Sequence, residues 1–198
     1  MFRYAFILTL LASMISMQSW ANIVMFGTRV IFPAESNEKT LQFSNNGDIP
    51  YIVQIWLDRG NDASTPENAD APFVVNPPLF RINPHKGQMA RLIYVPQTAL
   101  PQDRESIFYL NFKQIPALQE SSADQNKLIF LVKNRLKVFY RPKTIVGNVE
   151  AMPQKWTYVL QQQTKGSTVT VHNPTGYYAN LTTATLKVKQ QSYSIDPK

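Results

Sequence analysis

Residues 126–142, Asn-Lys-Leu-Ile-Phe-Leu-Val-Lys-Asn-Arg-Leu-Lys-Val-Phe-Tyr-Arg-Pro, constrain the fold of this chain more than any other stretch. Alternate side chains of an extended strand point to opposite faces. Leu128, Phe130 and Val132 form one apolar row and Ile129 and Leu131 the other, before basic residues take over. A strand in a sheet with one wet face leaves one of those rows without a home. Either the segment is a central strand of a sandwich, or its spare row is lent to another protein.

The surrounding sequence argues for an all-β fold. It has almost no helical periodicity. Short β-branched or aromatic runs at 29–32, 38–44, 49–58, 73–76, 79–82, 88–94, 106–115 and 127–140 alternate with clusters of Pro, Gly, Asn and Asp. Asn45-Asn46-Gly47-Asp48 predicts a tight turn, because Asn and Gly tolerate positive φ at little cost. Eight such segments at these spacings predict an immunoglobulin-like sandwich.

Arg141-Pro142 should end the long strand, since proline cannot donate a ladder hydrogen bond, and 143–148 reads as a linker loosened by Gly147. A second β domain follows over 143–198, with strands predicted at 147–152, 156–161, 167–172, 178–181 and 185–189. Its roughly 55 residues are about half of what a seven-stranded sandwich needs. The second immunoglobulin-like domain is therefore expected to be incomplete, with an apolar face and strand edges left in water. The loops at 61–71 and 119–126 are polar.

Met1-Phe2-Arg3, an apolar run from 5 to 17 and Ser19-Trp20-Ala21 have the form of an export signal cleaved after Ala21. The run is shorter than the roughly 20 residues of a spanning helix, and no later segment predicts a membrane span. Cleavage would leave 177 of 198 residues, and losing Arg3 with no acid would take the net charge from +7 to +6. That balance favours acidic partners. The chain has no cysteine, which removes disulfides, thiol catalysis and cysteine zinc sites. Its two histidines, His85 and His172, have no metal-ligand spacing.

Nothing in the sequence assembles a catalytic constellation. There is no Gly-x-Ser-x-Gly pattern and no glycine-rich phosphate loop, and the seven glycines are scattered singly. Asp103 and Glu105 lie among basic residues, where structural ion pairs explain them better than acid–base work. The aromatic residues fall inside the strand patterns where a core needs them, so nucleic acid is not the expected partner.

Two cations sit among apolar neighbours: Arg29 in Thr28-Arg29-Val30-Ile31-Phe32, and Lys137 between Leu136 and Val138. Together they could receive a carboxylate from a partner, or each could reach solvent or an internal acid on its own. Glu105 and Arg141 form a second pair. They could lock an interdomain angle, or make a surface ion pair of little energetic value.

Several separated motifs resemble the PapD-like periplasmic chaperones of the chaperone–usher pilus pathway. The most specific is Leu-Pro-Gln-Asp-Arg-Glu-Ser-Ile-Phe-Tyr-Leu-Asn-Phe-Lys-Gln-Ile-Pro-Ala at 100–117; Thr-Arg-Val-Ile-Phe-Pro at 28–33, Asn-Pro-Pro at 76–78 and Lys-Val-Phe-Tyr-Arg-Pro at 137–142 support it. The resemblance implies two immunoglobulin-like domains, with Arg29 and Lys137 anchoring the C-terminal carboxylate of a pilus (fimbrial) subunit. It also implies a donor strand whose Leu128, Phe130 and Val132 enter the open groove of that subunit. Glu105 and Arg141 match an interdomain ion-pair network whose acidic third member would lie beyond residue 198. The short segment at 118–126 resembles the short-loop branch of the family. On this basis a periplasmic, non-enzymatic chaperone is expected. It would need no cofactor or nucleotide, and it would hand subunits to an outer-membrane usher. The other class considered is a structural pilus subunit or adhesin, although residues 22–26 make a poor donor extension.

Overall fold

The structure, a computed structural model, describes residues 22–96, 98–117, 128–164, 166–181, 183–188 and 191–195. The expected leader at 1–21 and the segment at 118–126 lie outside the described residues. The first unit contains β1 (Ile23–Met25), β2 (Arg29–Pro33), β3 (Glu38–Asn45), β4 (Tyr51–Asp58), β5 (Phe73–Asn76), β6 (Leu79–Ile82), β7 (Gly87–Tyr94), β8 (Ser106–Pro116) and β9 (Val132–Arg141). They form two sheets, in the orders β2-β9-β8-β4-β6 and β1-β3-β7-β5. The β2–β9 pair is parallel and the other pairs are antiparallel.

The inward rows of these strands build one core. Phe32, Leu41, Phe43, Val53, Ile55, Leu57, Leu92, Phe108, Leu110, Phe112 and Val138 are all buried in it. Aromatic rings bridge the sheets: Phe43 meets Phe112 edge-on at 5.4 Å, and Phe73 meets Phe32 and Phe108 at 5.3 Å each. Such edge-to-face pairs add to the stabilisation from area burial because each positive ring edge meets a negative face.

Three local expectations need correction. First, β1 did not stand out in sequence because three residues are too few to show a period. It belongs to the opposite sheet from β2, and the chain crosses between them at Gly27, whose φ of 93° lies in the left-handed region open to glycine. Second, the turn at 45–48 carries the chain from one sheet to the other, with the Gly47 N–H donating to Asn45 Oδ1 at 3.0 Å. Gly47 does not adopt a positive φ; a Cβ there would sit 2.7 Å from Asn22 Oδ1, so the Asn22 side chain would have to shift. Third, the long strand begins at Val132, with 128–131 outside it, because its last pair with β8 is Gln114 opposite Val132 and Pro116, just beyond, has no N–H to extend the ladder.

Beyond Arg141, β10 (Thr157–Gln163) pairs with β11 (Gly166–His172), and β12 (Ala184–Val188) pairs with β13 (Gln191–Ile195). Among the described residues these hairpins do not share a sheet, and Tyr158, Val159 and Leu160 are all exposed, so both faces of β10 are wet. Residues 147–152 are not a strand: Asn148 Oδ1 accepts the Ala151 N–H at 2.8 Å, closing a turn that leads into a single 3-10 turn, Met152–Lys155. Residues 178–181 are not a strand either, because their segment is tied to the first unit instead of to a neighbour in a sheet.

Candidate functional site

The chain crossing at Gly27 leaves part of β9 open. β2 covers β9 only from Arg29 opposite Lys137 to Pro33 opposite Arg141, while the preceding residues leave to pair with β3 as β1. On that side, residues 132–136 have no strand partner among the described residues. Their free N–H and C=O groups form a template for an added strand.

Leu128, Phe130 and Val132 lead into this open edge at 80%, 73% and 49% exposure. Ile129 and Leu131 are exposed as well, so neither row of this stretch is used by the chain's own core. Within β9 the even-numbered row continues into Leu136, Val138 and Tyr140, which pack against the core or within it. A groove of about 440 Å³ runs between Leu128, Phe130 and Val132 on one side and Asn22, Tyr51 and Gln114 on the other.

Where the open edge ends, the structure brings Arg29 and Lys137 together as in-register neighbours. Adjacent strands lie about 4.8 Å apart, so two cations at one level can share a single carboxylate. Both line a cleft of about 210 Å³ with Thr28, Arg135, Phe139 and Asn180. Among the described residues neither Arg29 nor Lys137 makes an ion pair. Lys137 Nζ instead donates to Asn180 Oδ1 at 2.6 Å.

The third cation in that cleft, Arg135, is engaged elsewhere. Its two terminal nitrogens grip the fully buried Asp58 carboxylate at 2.7 and 2.8 Å, and its guanidinium lies 4.2 Å over the Tyr109 ring. Asn111 Nδ2 at 2.6 Å, Ser64 Oγ at 2.7 Å and the Gly60 N–H at 2.7 Å also donate to Asp58, and Trp56 Nε1 donates to Ser64 Oγ at 2.9 Å. Burial alone would raise the Asp58 pKa, but the hydrogen bonds from Ser64, Arg135, Asn111 and Gly60 outweigh it and hold the carboxyl below its ordinary value. The network fixes β9 against β4 and β8 on the approach to Lys137. Sequence reasoning missed it, because Asp58 and Arg135 lie 77 residues apart and no local spacing links them. The available signal was an acid, Asp58, closing the otherwise apolar run Ile55-Trp56-Leu57.

The second predicted pair also meets. Arg141 Nε lies 2.6 Å from Glu105 Oε1, and Glu105 is buried. The other carboxylate oxygen, Oε2, accepts the Tyr178 N–H at 2.8 Å, and the Arg141 guanidinium lies 5.3 Å over the Tyr177 ring. Among the described residues a main-chain amide and an aromatic face thus stand beside this pair. The segment 173–180 acts as a strap on the first unit. Glu105 N–H donates to Gly176 O at 2.8 Å, the Tyr178 ring lies 5.7 Å from Phe139, and Asn180 reaches Lys137. These contacts take up the backbone and side chains of residues 176–180, which is why the predicted strand at 178–181 does not form. At the opposite edge, His85 lies 3.1 Å from Asp48 on the surface, away from this cleft.

Comparison with known proteins matches both halves of the chain to domains of one family. The profile of the pili and flagellar-assembly chaperone PapD N-terminal domain matches residues 22–146, and that of the pili assembly chaperone PapD C-terminal domain matches 155–198. A probable fimbrial chaperone of Escherichia coli K12, YadV, is 35% identical over 185 residues, spanning 92% of this chain and 75% of that protein. The crystal structure of YadV superposes with a TM-score of 0.76 at 32% identity, covering 90% of this chain and 79% of the other. SafB, a Salmonella enterica chaperone solved in complex with the SafA pilin, is represented by a match with a TM-score of 0.69 at 26% identity, covering 88% of this chain and 77% of that one.

Proposed function

Because this chain belongs to the PapD family of pilus-assembly chaperones, we propose that it holds the C-terminal carboxylate of a pilus subunit between Arg29 and Lys137 while lending Leu128, Phe130 and Val132 to that subunit's groove. The observation that carries this reading is the in-register pair of cations with no acid partner among the described residues, placed where the open edge of β9 ends. A subunit strand added to that edge gains main-chain hydrogen bonds, and the exposed row gains a core. Three such side chains are worth on the order of 5 kcal/mol before ordering costs.

The anchor sets register. A slip of one residue exchanges the inserted row for the opposite face, so the fixed carboxylate determines which side chains enter. Phe130 lies seven positions before Lys137, about 23 Å in extended chain. Glu105 and Arg141, with the strap at 173–180, hold the second unit at the mouth of the cleft.

In this reading residues 1–21 are an export leader, 22–142 form the chaperone domain and 143–198 form part of a second one. The protein works in the periplasm, without catalysis or cofactor, and passes subunits to an outer-membrane usher. The match of both halves to chaperone domains disfavours the alternative of a structural pilus subunit. Copurification tests the proposal. The wild-type chain should recover a subunit one to one, and Arg29→Ala or Lys137→Ala should abolish recovery while the first sandwich stays folded by circular dichroism. Normal recovery with both variants would overturn the anchor.

A further inference from the structure

We propose that Asn180 is a third member of the carboxylate anchor, supplied by the second β unit, and that its neutrality keeps the anchor available. This rests on the assignment of Arg29 and Lys137 as that anchor. Asn180 lines the same cleft as both cations, and it takes the Lys137 ammonium at 2.6 Å. An ammonium only donates, so the facing atom must be the amide oxygen, which leaves the Asn180 NH2 group with two donors. Among the described residues that NH2 group donates to nothing.

An acceptor entering between Arg29 and Lys137 therefore meets donors on three sides, two charged and one neutral. The side-chain type matters. An aspartate at this position would place a carboxylate against Lys137 and occupy the anchor from within, whereas the amide orients the ammonium and leaves its charge for the ligand. The position is fixed from two residues away, where the Tyr178 N–H donates to Glu105 Oε2 at 2.8 Å and the Tyr178 ring lies against Phe139. The interdomain contact thus carries a binding group into the cleft as well as setting an angle.

The test uses the full chain and a synthetic peptide bearing the last residues of a pilus subunit that copurifies with it, made once as the free acid and once as the C-terminal amide. Affinities are read by calorimetry for the wild type, Asn180→Ala and Asn180→Asp. The wild type should prefer the acid. Asn180→Ala should weaken acid binding about tenfold or more, the scale of one hydrogen bond to a charged group, and leave amide binding unchanged. Asn180→Asp should erase the preference for the acid. If both variants bind as the wild type does, or lose acid and amide binding equally, Asn180 is not part of the anchor. If the wild type itself does not distinguish the two peptides, the anchor at Arg29 and Lys137 fails, and this assignment fails with it.

Discussion

Replacing Asp58 by asparagine preserves the side-chain shape and removes the charge that five donors converge on. The carboxylate is fully buried, Arg135 grips it through two nitrogens at 2.7 and 2.8 Å, and the Arg135 side chain is only 18% exposed. In the variant one oxygen becomes an NH2 group. It must face either the pair Gly60 N–H and Arg135 Nη2, or the set Ser64 Oγ, Asn111 Nδ2 and Arg135 Nη1. Donors then oppose donors, and a largely buried guanidinium loses its counter-charge. Breaking a buried pair from one side costs about 3–5 kcal/mol. With a urea m-value of about 2 kcal/mol/M, the unfolding midpoint should fall by about 2 M. Trp56 reports the transition by fluorescence, since it is buried and bonded to Ser64 in the same network. Arg135→Met in the Asp58→Asn background should cost clearly less than the two single changes summed, because removing both charges leaves neither uncompensated. The pH dependence has a definite sign. The folded Asp58 pKa is depressed, so its contribution is full above the unfolded value of about 3.9 and is lost as pH falls through the folded value. That part of the acid sensitivity should be missing from Asp58→Asn. A midpoint within about 0.3 M of wild type, or full additivity in the double variant, would refute the account.

Phe130→Ala should lower affinity for a pilus subunit by about 30- to 150-fold, since a side chain 73% exposed in the free chain has about 2–3 kcal/mol to gain from burial. The urea midpoint should not move, and unchanged subunit affinity would contradict the donor role. Gly176→Val should lift the strap, because a Cβ there would run into Asp103 O and come within 2.9 Å of Ile145 Cγ2. Limited proteolysis should then cut between 141 and 157 faster while the Trp56 transition stays in place; an unchanged cleavage rate would mean that the strap is not held at this point.

The two-sheet fold was legible because period-two rows and Pro-Gly-Asn punctuation are written in neighbouring residues. Strands 73–76 and 79–82 appear at their predicted bounds. Arg29 and Lys137 were suggestive as cations among apolar neighbours, but only the parallel pairing of β2 with β9 shows them at one level. Other features depend on long-range contacts with no local trace. The apolar run at 128–131 reads as strand, yet whether it is paired depends on where β8 meets Pro116. The end of the strap, from Tyr178, reads as strand because Tyr favours strands, but the donors and rings of residues 177–178 go to Glu105, Arg141 and Phe139 on the other unit. Asn180, polar and exposed, carries no signal of its own until Lys137 is seen beside it.

The open edge of β9 has a further consequence for the chain in isolation. An unpaired edge beside exposed Leu128 and Phe130 is the kind of surface on which a β protein aggregates with itself. The odd-numbered row of the same strand, however, carries Lys133, Arg135 and Lys137. Arg135 is neutralised by Asp58, while Lys133 reaches only the main-chain oxygen of Asp62, so two lysines keep their charge along the edge. Antiparallel pairing of two copies through residues 133–137 would set lysine against lysine, and like charges facing across a ladder destabilise it. Lys137, proposed above to receive an anionic chain end, would thus act with Lys133 as a gatekeeper, biasing a sticky edge against its own kind.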